Sequence, residues 1–244
     1  MRHLVKGKVM STSTINIDTQ EVEKFDNLSS DWWDPNGRNK PLHHLNPLRL
    51  SYIEQHIPIK GKLILDIGCG GGLLTEAMAR QGAEVTGIDA GNEMIAVARD
   101  HAQQSNLNIR YHHTHAEAFA PTATPFDAIT CMELLEHVPD PRSLLQAAAN
   151  CVKPGGHLFL STLNRTPKAY ALGVFAAERV LKLLPVGTHE YQKFIKPSEL
   201  SRCLTDVGLV FEDIQGVQYN PITENVRFSQ DVSINYLVHA TKPE

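Results

Sequence analysis

Between residues 66 and 72 the chain reads Asp66-Ile67-Gly68-Cys69-Gly70-Gly71-Gly72. Glycines spaced this way let a nucleotide-like ligand approach the backbone where a strand turns into a helix, and the helix N-terminus supplies N–H donors. The dinucleotide pattern G-x-G-x-x-G would place its third glycine at position 73, which is Leu73. Here the spacing is D-x-G-x-G-x-G, with the carboxylate of Asp66 at the strand end. Such an acid repels a pyrophosphate and attracts an ammonium. A cofactor with an amino-acid head and no phosphate fits better than NAD, and S-adenosylmethionine is one. Asp89 closes the next apolar run, where a carboxylate can accept both ribose hydroxyls. A helix-capping acid is the plainer alternative there.

A second group follows at Cys131-Met132-Glu133-Leu134-Leu135-Glu136-His137-Val138. Met132 is placed to flank an adenine or a sulfonium. Glu133, Glu136 and His137 stand at i, i+3 and i+4, so one helical turn would gather them on one face. Two carboxylates and an imidazole can hold a divalent cation or deprotonate a hydroxyl. The competing reading is a solvated turn before a capped helix.

These residues need a frame that brings strand ends together. Leu63-Ile64-Leu65 is a short apolar run suited to a strand buried on both faces. Helix is expected over 75–81, strand over 83–89, helix over 93–104 and strand over 109–113. Strand over 126–131, helix over 141–151 and strand over 157–162 follow, with Val152-Lys153-Pro154-Gly155-Gly156 as a structural turn. The alternation predicts an α/β fold with a doubly wound, Rossmann-like, mostly parallel sheet of seven strands. A helix over 197–207 and strands over 209–218 and 231–241 predict an antiparallel pair at its C-terminal edge.

Residues 1–16 are expected to be a disordered tail, with Met10 as an alternative start, and 17–244 a single domain. Within it, the proline-broken 17–60 stretch reads as a helical cap. Residues 165–196 read as an amphipathic helical insert with six basic and two acidic side chains. On a helix over 168–184, Lys168, Glu178, Arg179 and Lys182 share an arc of about 100°, opposite Tyr170, Val174, Val180, Leu181 and Leu184. Phe175 falls on the charged side. This insert is either a lid over the site or a surface that lies on anionic lipid.

Composition narrows the class. At 244 residues, 42% hydrophobic and 20% charged, the chain is neither disordered nor fibrous. A net charge of −4 leaves no general basic coat for nucleic acid. No run of eighteen apolar residues suggests a membrane span. Cys69, Cys131, Cys151 and Cys203 form no C-x-x-C pair, and the chain reads as reduced and cytosolic. His43, His44, His112, His113 and His115 read as surface residues, and His189 as a loose candidate from the insert.

The D-x-G-x-G-x-G motif, the acid after the second strand, C-M-E-L-L-E-H-V-P-D-P and K-P-G-G resemble the class I S-adenosylmethionine-dependent methyltransferases. Trp32-Trp33-Asp34, Lys40-Pro41-Leu42-His43, Asn46-Pro47-Leu48-Arg49-Leu50, Ser161-Thr162-Leu163-Asn164-Arg165, Gly187-Thr188-His189, Lys193-Phe194-Ile195-Lys196-Pro197 and Tyr219-Asn220-Pro221 narrow it. Together they resemble the ubiquinone biosynthesis O-methyltransferases over about residues 20–240. The resemblance implies methylation of the hydroxyl of 2-polyprenyl-6-hydroxyphenol and of 3-demethylubiquinol. It implies cofactor contacts at Arg49, Gly68, Asp89 and Met132, beside Asp66 and Gly70 of the glycine motif. Glu133, Glu136 and His137 become the catalytic candidates, with a divalent cation as a further candidate cofactor. Partners would be the polyprenylated phenol or quinol, anionic membrane lipid and a biosynthetic complex, at the inner face of the membrane. A methyltransferase of another small hydroxylated substrate, or a cofactor-binding scaffold, stays open at this point.

Overall fold

The computed structural model describes residues 15–171, 190–220 and 222–244. Two helices come first, α1 (Thr19–Asp26) and α2 (Lys40–His56). Alternation then begins: β1 (Leu63–Ile67), α3 (Leu73–Arg80), β2 (Glu84–Asp89), α4 (Asn92–Gln104) and β3 (Arg110–His113). The short α5 (Ala116–Phe119), β4 (Phe126–Met132), α6 (Pro141–Cys151), β5 (Val152–Leu163) and the single turn α7 (Pro167–Ala169) follow. The chain closes with α8 (Pro197–Asp206), β6 (Val210–Asn220), β7 (Asn225–Ser229) and β8 (Asn235–Thr241).

The strands form one sheet in the order β3-β2-β1-β4-β5-β8-β6-β7. The first five are parallel, and β8 is antiparallel to both β5 and β6. Successive residues face opposite layers. Ile64, Ala128, Phe159 and Leu237 pack with Tyr52 and Ile53 of α2 and Met78 of α3. Their neighbours Leu65, Ile129, Leu160 and Val238 pack with Leu144 and Leu145 of α6 and Leu200 and Leu204 of α8. That period of two, buried on both faces, is why these runs are strands in a doubly wound sheet.

Among the described residues the sheet has eight strands rather than seven, and the antiparallel unit has three. The extra one, β7, pairs with β6 from Gly216↔Ser229 to Asn220↔Asn225. Its sequence, Asn-Val-Arg-Phe-Ser, is only five residues long, and its two apolar side chains, Val226 and Phe228, pack against the α2 side of the sheet. Asn220 Oδ1 accepts from the backbone N–H groups of Ile222 and Thr223, which starts the turn between them.

The expected helical cap is present as α1 and α2. The expected tail reaches too far: Asn16 is buried, and its side chain bonds Glu117 Oε1 and both backbone groups of Asp140. The rest of that tail, and most of the 168–184 helix with Arg179, Lys182 and His189, lie outside the described residues. Among the described residues no helix is long and apolar enough to cross a membrane, and all four cysteines are free.

Candidate active site

The strand order reverses between β1 and β4, and a crevice forms at such a point outside the carboxyl ends of the strands. A cavity of about 920 Å³ lies there. That is near the upper end of the roughly 300–1,000 Å³ usual for small-molecule sites, enough for a cofactor and a second ring. Arg49, Asp66, Gly68, Gly70, Asp89, Met132, Glu133 and His137 all line it. Glu136 does not.

The turn from β1 into α3 needs its glycines for two separate reasons. Gly68, Gly70 and Gly72 have φ of +71°, +52° and +92°, the left-handed region that side chains disfavour. A Cβ on Gly70 or Gly71 would also meet the ring of Trp32, at 2.8 and 2.3 Å. Trp33 Nε1 donates to the Gly71 carbonyl at 3.0 Å. The adjacent tryptophans thus clamp the cap onto the glycine turn.

Asp66 is fully buried and accepts from Thr75 Oγ1 at 2.6 Å and Thr130 Oγ1 at 2.7 Å. Burial pushes its carboxyl up to about 6, against those two hydrogen bonds. Both oxygens therefore hold the turn, a task the ammonium reading did not foresee. Asp89 Oδ2 accepts from Gly70 N–H at 2.8 Å, and Oδ1 from Gly91 N–H at 2.7 Å. Burial raises this carboxyl too, opposed by the Gly91 and Gly70 amides. Each carboxylate oxygen keeps a second lone pair for a ligand hydroxyl.

Glu133, Glu136 and His137 do not share one face of an α-helix. Glu133 has φ of +52°, and residues 135–137 form a 3₁₀ turn, so the i, i+3, i+4 geometry is lost. Glu133 Oε1 accepts from Ser161 Oγ at 2.6 Å and Asn235 Nδ2 at 3.0 Å, with Arg49 Nη2 at 3.5 Å. Glu136 is buried beneath the cavity, where Oε2 accepts from Thr162 Oγ1 at 2.8 Å. Burial, and then the nearby Glu133, push the Glu136 carboxyl up. Among the described residues no group of three or more His, Cys, Asp or Glu is gathered to hold a metal ion. Glu136 Oε1 is buried without a hydrogen-bond partner.

His137 Nδ1 bonds Glu21 Oε2 at 2.7 Å, and both side chains are buried. This partner, 116 residues away, was not expected. Sequence reading missed Glu21, although a signal existed. Glu21, Phe25 and Leu28 stand at i, i+4 and i+7, which puts an acid on the apolar face of α1. His115, expected at the surface, also lines the cavity, beside Glu117.

Arg49 reaches the cavity from α2. It is mostly buried, and its Nη2 makes no hydrogen bond. Apart from the 3.5 Å ion pair with Glu133, that guanidinium nitrogen is open beside a glycine cradle that a Cβ would fill, which suits a ligand carboxylate. The cavity is also lined by Tyr219, Asn225, Arg227 and Asn235 from the antiparallel strands.

The methyltransferase-domain family model matches residues 42–213. A magnesium protoporphyrin IX methyltransferase from Synechocystis, solved with bound SAH, shares the fold at 19% identity, with 92% of this chain and 98% of that one covered and a TM-score of 0.66. A possible histamine N-methyltransferase from Thermotoga maritima does so at 18% identity, with 91% and 98% covered and a TM-score of 0.61. Fold and site together define an S-adenosylmethionine-dependent methyltransferase. A ubiquinone biosynthesis O-methyltransferase from Stutzerimonas stutzeri is 52% identical over 228 residues, 93% of this chain and 98% of its own. One from Saccharophagus degradans is 50% identical over 235 residues, 96% and 100%. The chain belongs to the ubiquinone biosynthesis O-methyltransferase family.

Proposed function

We propose that this chain methylates phenolic hydroxyls of ubiquinone precursors, namely 2-polyprenyl-6-hydroxyphenol and 3-demethylubiquinol. One observation carries the reading: a single cavity is lined both by the glycine turn with Asp89 and by the side chains of the antiparallel strands. The names of the relatives supply the substrate class. S-adenosylmethionine supplies an electrophilic methyl group on a sulfonium. The protein's task is then to position an acceptor oxygen in line and to remove its proton. A phenol has a pKa near 10, so only about one in a thousand is ionised at pH 7.

In this reading Arg49 holds the methionine carboxylate, and Gly68 and Gly70 admit the ligand to the backbone. Asp89 takes the ribose hydroxyls, and Asp66 keeps the turn in shape and its field negative. Met132 packs against the cofactor. His137 is the general base. Glu133 lies on the cavity wall beside the acceptor, and Glu136 supports it from beneath. Residues 17–244 act as one catalytic unit, because α1 and α2 supply part of the same cavity wall.

The test is methyl transfer from labelled S-adenosylmethionine to a prenylated catechol, with and without a chelator. Transfer that survives chelation points to His137 as base, in which case His137→Ala should lower kcat by roughly 10²–10⁴-fold. Transfer abolished by chelation and restored by a divalent cation would move Glu133, Glu136 and His137 into a metal site. Cofactor binding without transfer under either condition would overturn the substrate assignment.

We also propose that the 165–196 insert rests on anionic membrane lipid at the inner face of the membrane, where a biosynthetic complex would assemble. Support comes from its basic balance, from a polyprenyl substrate that resides in the bilayer, and from Lys168, which is half-exposed while paired with Asp231. Reversing the charge of Lys168, Arg179 and Lys182 should abolish flotation with anionic liposomes. Unchanged flotation sinks this reading.

A further inference from the structure

We propose that Glu21, on the N-terminal helix, is a positioning residue for His137: it fixes the ring and places the ring proton on Nδ1. The proposal rests on the reading of His137 as general base.

Glu21 Oε2 lies 2.7 Å from His137 Nδ1, and both side chains are less than a tenth exposed. Its other oxygen accepts from Lys24 Nζ at 2.6 Å. The hydrogen bond from His137 and the charge of Lys24 hold the Glu21 carboxyl down, to about 2, against burial. Glu21 is therefore a carboxylate at neutral pH. A carboxylate has no proton to give, so Nδ1 donates, and the lone pair of the neutral ring sits on Nε2. Phe25, one helical turn on, meets the imidazole edge-on at 5.0 Å and 88°, which restricts ring rotation.

The carboxylate arrives with a segment that docks across the cavity mouth. Asn16 bonds Glu117 and Asp140, Asp18 pairs with Lys193, and Asp26 accepts from the Met94 N–H. An eight-residue helix does not persist alone in water, so α1 exists through these contacts. The base is thus complete only when the N-terminal segment is seated, although His137 itself belongs to the catalytic sheet.

The experiment compares Glu21→Gln, Glu21→Asp, His137→Ala and the Glu21→Gln/His137→Ala double variant in the full chain. Each is followed by steady-state kinetics and by ¹⁵N NMR of the histidine rings. We expect Glu21→Gln to lower kcat roughly tenfold to a hundredfold, with KM for both substrates within about twofold, and Glu21→Asp to restore part of it. In the His137→Ala background Glu21→Gln should change nothing further. The wild-type His137 spectrum should show a protonated Nδ1, and Glu21→Gln should lose that fixed tautomer. An unchanged tautomer, or an equal loss of kcat with and without His137, overturns the proposal. Wild-type kcat in His137→Ala overturns the base reading instead, and the NMR spectrum still decides whether Glu21 sets the ring.

Discussion

The cavity wall after β1, β2 and β4 is held by backbone, whereas the wall made by α1, α2 and the antiparallel strands is held by side chains. On the first wall, left-handed glycines and the Asp89 carboxylate, which accepts two main-chain N–H groups, fix the shape, with Asp66 held by two threonine hydroxyls. On the second, Glu21, Trp33, Arg49 and Asn235 arrive from distant segments and meet the first wall through a few polar contacts. Backbone constraints tolerate no substitution. Side-chain constraints can be removed one at a time. Glu133 belongs to both, since Ser161 and Asn235 bond the same oxygen.

The largest effect should come from the backbone wall. Gly70→Ala combines a left-handed residue with a Cβ 2.8 Å from Trp32. Together these cost about 3 kcal/mol, roughly a hundredfold in cofactor affinity by calorimetry. Adding Trp32→Ala separates the causes. Recovery of tenfold or more would mean that the clash dominates and that the two walls are coupled.

Acid should drive the walls in opposite directions. Glu21 is held down to about 2 from 4.5. Its stabilisation, about 2–3 kcal/mol, is fully present above pH 4.5 and is lost as pH falls toward 2. Asp66 is raised to about 6 from 3.8, so the folded state takes its proton first, and this site gains stability as pH falls from 6 toward 4. Urea unfolding between pH 3 and 7 should show Glu21→Gln flattening the acid limb and Asp66→Asn removing the gain.

Arg49→Met should weaken S-adenosylmethionine by about 2 kcal/mol, roughly thirtyfold, while leaving adenosine binding nearly unchanged. Equal losses for both ligands would place Arg49 with the fold rather than with the amino-acid head. Trp33→Phe removes the bond to the Gly71 carbonyl and should cost about 1 kcal/mol, a few-fold in cofactor affinity.

Legibility in the sequence follows the same division. The glycine spacing, Asp89 and the alternating strands are local patterns, and β1 to β4 stand within a residue or two of their expected places; β5 begins five residues early, at Val152, where a turn was expected. Strand β7 escaped because it is short, with only Val226 and Phe228 as apolar side chains on its core face. Glu133, Glu136 and His137 share no α-helical turn, because the left-handed Glu133 breaks the geometry that their spacing assumes. Glu21 escaped because its partner lies 116 residues away. Only the acid on an apolar helix face pointed to it.

The clamp at the glycine turn has an optical consequence. The chain has only two tryptophans, and both sit on that clamp. Trp33 also stacks on His101 at 3.5 Å and 7°, and His101 in turn bonds Glu76. Intrinsic emission from this protein therefore comes from one place, the seam between cap and glycine turn. Stopped-flow fluorescence can follow the seating of that seam as ligand enters, with no label attached.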